Sequence, residues 1–210
     1  MDSLFKFDKK YGVVIGTDEA GRGPAAGGVF AAAVYFPEVT KGLMKDLERL
    51  NDSKKLSANT REQLFDIILN NSVNSIISVD VEEIEKINIL NSSLKAMKMV
   101  CEDVIKRAGL EDFITLVDGN KYIKNYAYPQ KFIVKGDGKS ASIAAASILA
   151  KVTRDRYMKK IALEFPQYHW ENNAGYLTKE HLSAIDTYGL TKYHRPSFLK
   201  KHFEKQLSLF

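Results

Sequence analysis

Three short apolar runs in this chain each lead into a carboxylate, and this pattern constrains the fold more than any other feature. Short runs rich in β-branched and aromatic residues, bounded by turn residues, predict β-strands. Strand ends of one sheet can be adjacent in space however far apart they lie in sequence, so these acids can converge on one edge. The runs and their acids are Tyr11–Thr17 with Asp18 and Glu19, Phe113–Val117 with Asp118, and Lys131–Val134 with Asp137.

The rest of the chain completes an α/β pattern. Val29–Phe36 and Ser75–Val81 predict two more strands. Apolar residues at three- and four-residue intervals predict a long helix from Asn91 that ends at Gly109. Further helices are predicted on both sides of the polar break 51–57, over an alanine-rich segment opened by Ser142, and from about Thr178 to Tyr188.

No repeat and no interdomain linker divides the 210 residues, so one α/β domain is expected. Its core spans 1–150. A basic helical segment follows at 151–205, and a tail at 206–210 ends the sequence.

The net charge of +5 lies wholly in the last 60 residues. Residues 1–150 hold 20 Lys and Arg against 20 Asp and Glu, whereas residues 151–210 hold 11 against 6. A basic segment indicates an anionic partner such as nucleic acid. A merely solvated basic helix face explains the same surplus equally well.

Several classes of protein are excluded by simple counts. A single cysteine, Cys101, rules out an internal disulfide and cysteine-based zinc sites, and it fits a reducing, cytoplasmic setting. Four scattered histidines make a zinc hydrolase a poor fit. No run approaches the roughly 18–20 apolar residues that cross a bilayer. We therefore expect a monomer without a membrane segment.

The glycine-rich stretch after the first strand has features of two known kinds of phosphate-binding loop. As a Walker loop it fails, because Val29 and Phe30 stand where Lys and Ser or Thr are required. Gly21, Gly23 and Ala26 do satisfy the dinucleotide pattern GxGxxA. That pattern requires a helix next, whereas a strand is predicted, so a dinucleotide-binding enzyme remains an alternative only.

Clustered carboxylates repel one another unless a cation neutralises them, and hard divalent ions are the usual partners of oxygen ligands. Magnesium or manganese is therefore implied. Such ions in a basic chain suit phosphodiester hydrolysis, since they activate water and neutralise the scissile phosphate. Taken singly, each aspartate is also an ordinary turn former. A non-catalytic nucleic-acid-binding module is thus a second alternative.

The segment Thr17-Asp18-Glu19-Ala20-Gly21-Arg22-Gly23-Pro24 resembles the opening signature of the ribonuclease HII family, the type 2 ribonucleases H. The resemblance spans roughly residues 11–200, and the sister family ribonuclease HIII differs at the Arg-Gly-Pro portion. Other matching segments follow in order: 51–56, 117–119, 135–137, 142–155 and 175–176.

The resemblance implies a single catalytic domain with a ribonuclease H-like fold, in which helices flank a mixed central sheet. It also implies that the helical C-terminal extension, 151–205, lines the substrate cleft. The implied substrates are the RNA strand of an RNA–DNA hybrid and a single ribonucleotide in duplex DNA. Cutting is expected 5′ to the ribonucleotide, by in-line water attack with two Mg²⁺ or Mn²⁺ ions, leaving 3′-hydroxyl and 5′-phosphate ends. The implied metal ligands and catalytic residues are Asp18, Glu19, Asp118 and Asp137.

The resemblance also implies substrate-binding residues. Gly21, Arg22 and Gly23 are expected to approach the ribose closely, because glycines leave room for a sugar. Tyr176 matches a tyrosine that stacks at the RNA–DNA junction. Lys54 and Lys55 are expected to contact phosphates.

The last five residues are similar to the short peptide by which many bacterial replication and repair proteins bind the sliding clamp. Gln206, Leu207, Leu209 and Phe210 are the implied contacts. A final helical turn packed on the body of the protein is the alternative.

Overall fold

A mixed five-stranded sheet forms the centre of the molecule. The computed structural model describes residues 2–51, 53 and 56–207, with the side chains of 2 and 205–207 left out. The strands are β1 Val14–Ala20, β2 Val29–Tyr35, β3 Val73–Val79, β4 Ile114–Asp118 and β5 Gln130–Ile133, in the spatial order β3-β2-β1-β4-β5. Pairs β1–β2 and β2–β3 are antiparallel, whereas β1–β4 and β4–β5 are parallel. The predicted mixed sheet is confirmed.

Helices cover both faces of this sheet. On one face, Ala32 and Val34 of β2 pack with helices α3 (Ala58–Asn71) and α6 (Ala141–Glu164). On the other face, Ala31 and Ala33 pack with helix α5 (Ile89–Ala108). This alternation follows from the period of two along a strand. The helices are α1 Asp2–Lys9, α2 Lys41–Asp46, α3 Ala58–Asn71, α4 Val81–Ile87, α5 Ile89–Ala108, α6 Ala141–Glu164, α7 Trp170–Asn173, α8 Lys179–Tyr188 and α9 Pro196–Leu207.

The first turns of α6 lie directly against β1. A Cβ atom on Gly16 would be 2.2 Å from the carbonyl carbon of Ser142, so only glycine fits at that point of the strand. The N-terminus of α6 is capped by Ser140, whose hydroxyl accepts from the Ile143 amide, and by Asp8, whose carboxylate accepts from the Ser142 amide. The alanine-rich sequence of α6 allows this close approach, as predicted.

The C-terminal half of α6 and the segments after it build a separate aromatic cluster. Trp170 and Tyr168 stack with ring centroids 5.0 Å apart, and both are fully buried. Ala25 and Ala26, from the loop between β1 and β2, belong to the same cluster. The C-terminal region therefore packs against the glycine-rich loop.

Several sequence-based boundaries were wrong. Strand β1 continues through Asp18 and Glu19, because Glu19 pairs with Ala31 of the neighbouring strand. The third strand was predicted to reach Val81 but ends at Val79, because Asp80 caps α4 by accepting from the Glu83 amide. Helices α1, α4 and α7 were not predicted, whereas most of α9 lies within the helical segment predicted at 151–205.

Asp137 follows the last strand without directly ending it, as its place between two glycines indicates. It lies in a single 3₁₀ turn, Gly136–Gly138, that follows β5. Among the helices of the described chain, none has the length and apolar character needed to cross a membrane.

Candidate active site

The two central strands place Asp18 and Asp118 side by side. Strands β1 and β4 are parallel, and their register pairs Thr17 with Val117, immediately before the two aspartates. Carboxyl ends of parallel strands meet at one edge of a sheet, which is where open α/β sheets hold their ligands. Asp18 is buried and Asp118 is half-buried.

A hydrogen bond to Asp118 positions the turn that carries Asp137. The amide of Gly136 donates to Oδ1 of Asp118 at 2.7 Å, and this fixes the turn that carries Asp137. A Cβ on Gly136 would lie 2.6 Å from Cδ1 of Ile143 and 3.1 Å from the same Asp118 oxygen, so no larger residue fits. The side chain of one acid thus positions the backbone of another.

The carboxylates perturb one another. Burial, together with the negative charges of Glu19 and Asp118, raises the pKa of the Asp18 carboxyl well above its usual range. Glu19 accepts from the guanidinium of Arg22 at 3.3 Å. The cluster therefore carries an excess of negative charge that a cation would relieve.

Two buried arginines hold the loop between β1 and β2. Arg154 of α6 donates to the carbonyls of Ala26, at 3.1 Å, and Gly28, at 3.4 Å. Arg195 donates to the carbonyls of Pro24 and Gly27 over 2.6–2.8 Å. Burial, and then the positive charge of Arg154, lower the pKa of Arg195 to about 9, so it stays protonated at neutral pH.

Tyr176 lies against the same loop. A Cβ on Gly23 would be 3.2 Å from Cε1 of Tyr176, and the tyrosine side chain is about half exposed. Gly175 makes this approach possible: its φ is +81°, and a Cβ there would lie 2.7 Å from the Ala26 carbonyl oxygen. The Gly175 carbonyl also accepts from the Ala25 amide at 2.9 Å.

These parts border one cleft of about 440 Å³. It brings together the four predicted acids, the predicted glycine loop and the predicted tyrosine. The lining residues are Asp18, Glu19, Ala20, Gly21, Arg22, Gly23, Ser53, Arg61, Asp118, Asp137, Ser147, Lys151, Arg154 and Tyr176.

As placed, the acids do not form a finished coordination shell. In the part of the chain that the structure describes, no three His, Cys, Asp or Glu side chains are grouped so that they could hold a metal ion. Several acidic oxygens are engaged elsewhere: Oδ1 of Asp18 accepts from the Glu19 amide at 2.7 Å, and Glu19 pairs with Arg22. Carboxylate oxygens are nevertheless the donors that Mg²⁺ and Mn²⁺ prefer.

Other predicted residues fall outside this description. Lys54 and Lys55 lie outside the described residues, as do Leu209 and Phe210. Gln206 and Leu207 belong to the last turn of α9, but their side chains are not among those described.

Sequence reasoning missed several residues that line or brace the cleft. Lys151 of α6 pairs with Asp155 at 2.5 Å, and Arg61 of α3 lies 3.7 Å from the same carboxylate. Ser53 and Ser147 share a hydrogen bond of 2.8 Å. Ser147, Lys151 and Asp155 lie in the segment 142–155 that matches the family. The resemblance therefore marks this segment without indicating what these side chains do.

Comparison with known proteins agrees with this architecture. The family model described as Ribonuclease HII matches residues 15–206. A Ribonuclease HII from Fusobacterium nucleatum is 48% identical over 204 residues, which covers 97% of this chain and 93% of that protein.

Solved structures share the fold. The chain resembles the RNase HII of Archaeoglobus fulgidus, solved in complex with PCNA, with a TM-score of 0.70 and 26% identity over 87% of this chain and 93% of that one. It resembles Bst-RNase HIII, solved in complex with Mn²⁺, with a TM-score of 0.64 and 16% identity over 84% of this chain and 63% of that one.

A mixed sheet whose central strands carry acids into a cleft beside a glycine loop thus defines a nuclease of the ribonuclease H class. Within that class, the chain belongs to the ribonuclease HII family.

The dinucleotide alternative was wrong. Residues 21–28 connect β1 to the antiparallel strand β2, whereas a dinucleotide fold needs a helix after this loop. Membership in a family of ribonucleases H also sets aside the non-catalytic module.

Proposed function

We propose that this enzyme cuts the RNA strand of RNA–DNA hybrids and cuts 5′ to single ribonucleotides in duplex DNA, leaving 3′-hydroxyl and 5′-phosphate ends. One observation carries the proposal. A single cleft holds acids suited to metal-dependent phosphodiester chemistry next to a glycine loop and an exposed tyrosine suited to reading a ribose and a base.

Asp18, Glu19, Asp118 and Asp137 would hold two Mg²⁺ or Mn²⁺ ions, and they are the catalytic residues of the proposal. Their oxygen donors suit these ions. Burial, and then the neighbouring negative charges of Glu19 and Asp118, raise the pKa of the Asp18 carboxyl, and a bound cation would offset both effects. When bound, the ions supply activation of water and neutralisation of the scissile phosphate. A Mn²⁺ complex of Bst-RNase HIII, which shares the fold, is consistent with this choice.

The glycine loop would read the ribose. The 2′-hydroxyl is both donor and acceptor and distinguishes RNA from DNA. Gly21 and Gly23 leave backbone groups open to a sugar, while the carbonyls of residues 24–28 on the buried side are engaged by Arg154 and Arg195. Tyr176, packed against Gly23, would stack at the junction between RNA and DNA.

Cationic side chains around the cleft would hold backbone phosphates. Arg22 is exposed, and Lys151 and Arg61 border the cleft while paired with Asp155. Lys54 and Lys55 remain proposed phosphate contacts on the strength of the sequence resemblance alone. Neutralising phosphates in this way gives an affinity that falls as salt rises.

The test of this function uses a uniform RNA–DNA hybrid, labelled on the RNA strand, with Mg²⁺, Mn²⁺ or EDTA. Cleavage with either ion and none in EDTA is expected. Hybrid binding that persists in EDTA while no cleavage occurs with either ion would contradict the proposal.

A docking role for residues 206–210 is a separate proposal. The sequence similarity to clamp-binding peptides supports it, and so does the complex of the Archaeoglobus fulgidus RNase HII with the sliding clamp PCNA. Deleting these five residues is expected to abolish binding to a bacterial sliding clamp and to leave cleavage of free hybrid unchanged. Unchanged clamp binding would contradict it.

A further inference from the structure

A chain of buried rings lies directly behind Tyr176. His181 of α8, Trp170 of α7 and His194 before α9 are each no more than 1% exposed. Nε2 of His181 lies 3.0 Å from Nε1 of Trp170 and 3.2 Å from Nε2 of His194. On the other side of the ring, Nδ1 of His181 lies 2.9 Å from the carbonyl oxygen of Tyr176.

The Tyr176 carbonyl and the Trp170 indole together fix the tautomer of His181. A carbonyl oxygen can only accept, so Nδ1 of His181 must carry the proton that it donates to Tyr176. The indole N–H of Trp170 can only donate, so Nε2 of His181 must accept. Only the neutral Nδ1–H form of His181 satisfies both contacts.

The tautomer of His194 is fixed in the same way and is the opposite one. The backbone amide of Thr191 donates to Nδ1 of His194 at 2.9 Å, so that nitrogen accepts. The proton of His194 is then on Nε2, from which it donates to Nε2 of His181. The bonds therefore run in one direction, from Thr191 through the two histidines to the carbonyl of Tyr176.

Both rings are neutral at pH 7. Burial lowers the pKa of His181, and burial with the neighbouring His181 lowers the pKa of His194 to about 4. A second proton on His181 would face two donors at Nε2 and has no acceptor there. The geometry and the low pKa values agree.

The same unit holds the glycine loop as well as the tyrosine. His194 forms a β-bridge with Ala26, and the amide of Arg195 donates to the carbonyl of Ala25 at 2.7 Å. Through its ring, His194 also binds His181 and so reaches Tyr176. The distance between the loop and the tyrosine ring is thus set by one buried network.

We propose that His181, supported by His194 and Trp170, is a positioning residue that fixes Tyr176 over the Gly21–Gly23 loop for recognition of the ribonucleotide junction. The proposal rests on the proposed function of Tyr176. His181 is fully buried and does not line the cleft, so it acts only through the backbone carbonyl of Tyr176.

The kinetic test measures cleavage of duplex DNA containing one ribonucleotide. His181→Phe keeps a ring and removes the hydrogen bonds, and kcat/KM is expected to fall about 10- to 100-fold, as small misplacements of positioning groups do. His181→Asn keeps a donor near the place of Nδ1 and is expected to recover part of the loss. Tyr168→Phe is the matched control, because it deletes one hydrogen bond, to the Gly189 carbonyl, from the same cluster.

A double-mutant cycle separates positioning from general damage. If His181 acts through Tyr176, then His181→Phe has no further effect on junction cleavage in a Tyr176→Ala background. Independent, multiplicative losses would overturn the proposal, and so would a loss in Tyr168→Phe equal to that in His181→Phe. If Tyr176→Ala cleaves the junction at the normal rate, the proposed role of Tyr176 is wrong. If His181→Phe then still loses activity, His181 does not act through Tyr176, and the positioning proposal is wrong as well.

A spectroscopic measurement does not depend on activity or on the folding of any variant. Nitrogen-15 NMR of the histidine rings at pH 7 is expected to show Nδ1–H for His181 and Nε2–H for His194 in the wild-type protein. An Nε2–H tautomer or a charged imidazolium at His181 would overturn the proposal even if every kinetic result agreed.

Discussion

Oδ1 of Asp118 accepts a hydrogen bond of 2.7 Å from the amide of Gly136, so one carboxylate of the cleft fixes the turn that carries the next, Asp137. The two acids lie on different elements, a central strand and a 3₁₀ turn. Their relative position therefore depends on this bond and on the absence of a side chain at Gly136.

Gly136→Ala is expected to lower cleavage at least about tenfold although all four acids remain, because the new methyl group must displace Ile143 or the Asp118 carboxylate. Overpacking of this kind also costs roughly 1–3 kcal/mol of stability. Gly138→Ala is the control, since a Cβ there meets nothing within 4 Å. Equal activities in the two variants would show that the turn does not position Asp137.

Asp18→Asn is expected to lower cleavage by at least about 100-fold, because losing a proposed metal ligand should cost more than the roughly 10- to 100-fold effect of losing a ligand's hydrogen-bonding partner. The same change is expected to stabilise the metal-free protein. The pKa of Asp18 is higher in the folded than in the unfolded protein. The stability that the protonated carboxyl contributes is therefore fully present below the unfolded pKa, and it is lost as the pH rises through the folded pKa. At pH 7 the ionised form is therefore a cost, which asparagine removes.

The measurement is the melting temperature in EDTA and in Mg²⁺. The variant is expected to melt higher than the wild type in EDTA, and added Mg²⁺ is expected to raise the melting temperature of the wild type more. A variant that melts lower in EDTA would contradict this account of the acidic cluster.

The acids could be found from the sequence because each follows an apolar run, and the loop could be found because four glycines lie within residues 21–28. The sequence could not reveal Arg195, whose guanidinium binds the carbonyl of Gly27 from 168 residues away. Two of the basic residues of segment 151–210, Arg154 and Arg195, are buried under the loop. These two charges hold the carbonyls of the glycine loop in the interior and are not part of an exposed binding surface.

The histidines show the same limit. In the sequence they are scattered with no metal-ligand spacing, and each is most simply interpreted as a surface or core histidine. The structure places Nε2 of His181 3.2 Å from Nε2 of His194, a contact made by folding α8 against the segment before α9. No local pattern reports such a contact.

Gly175→Ala is expected to destabilise the protein by about 1–3 kcal/mol and to reduce junction cleavage more than cleavage of long hybrids. A positive φ is strained for alanine. The new Cβ would lie 2.7 Å from the Ala26 carbonyl oxygen, and relieving this close contact is expected to move Tyr176 away from the loop. Gly189→Ala shares the positive φ but has nothing within 4 Å. The same loss of selectivity in both variants would contradict a specific role for the Gly175 contact.

The contribution of His194 to stability is expected to fall as the pH drops from about 7 to about 5. The folded pKa of His194 is lowered to about 4 from 6.5. Below pH 6.5 the unfolded chain therefore binds a proton that the folded protein does not, and folding is disfavoured. Urea unfolding of the wild type and His194→Gln checks this: the wild type should lose more stability over this window, and parallel curves would contradict a buried neutral His194.

The most direct test of the whole account maps the cut in a DNA duplex with one ribonucleotide, using the wild type and Asp118→Asn with Mg²⁺, Mn²⁺ or EDTA. The account predicts one cut 5′ to the ribonucleotide with 3′-hydroxyl and 5′-phosphate ends, and no cut in EDTA. In the variant it predicts a loss of at least about 100-fold, since losing a proposed metal ligand should exceed the roughly 10- to 100-fold effect of losing a ligand's hydrogen-bonding partner. Full activity of Asp118→Asn in saturating Mg²⁺, or a cut elsewhere in the duplex, would contradict it.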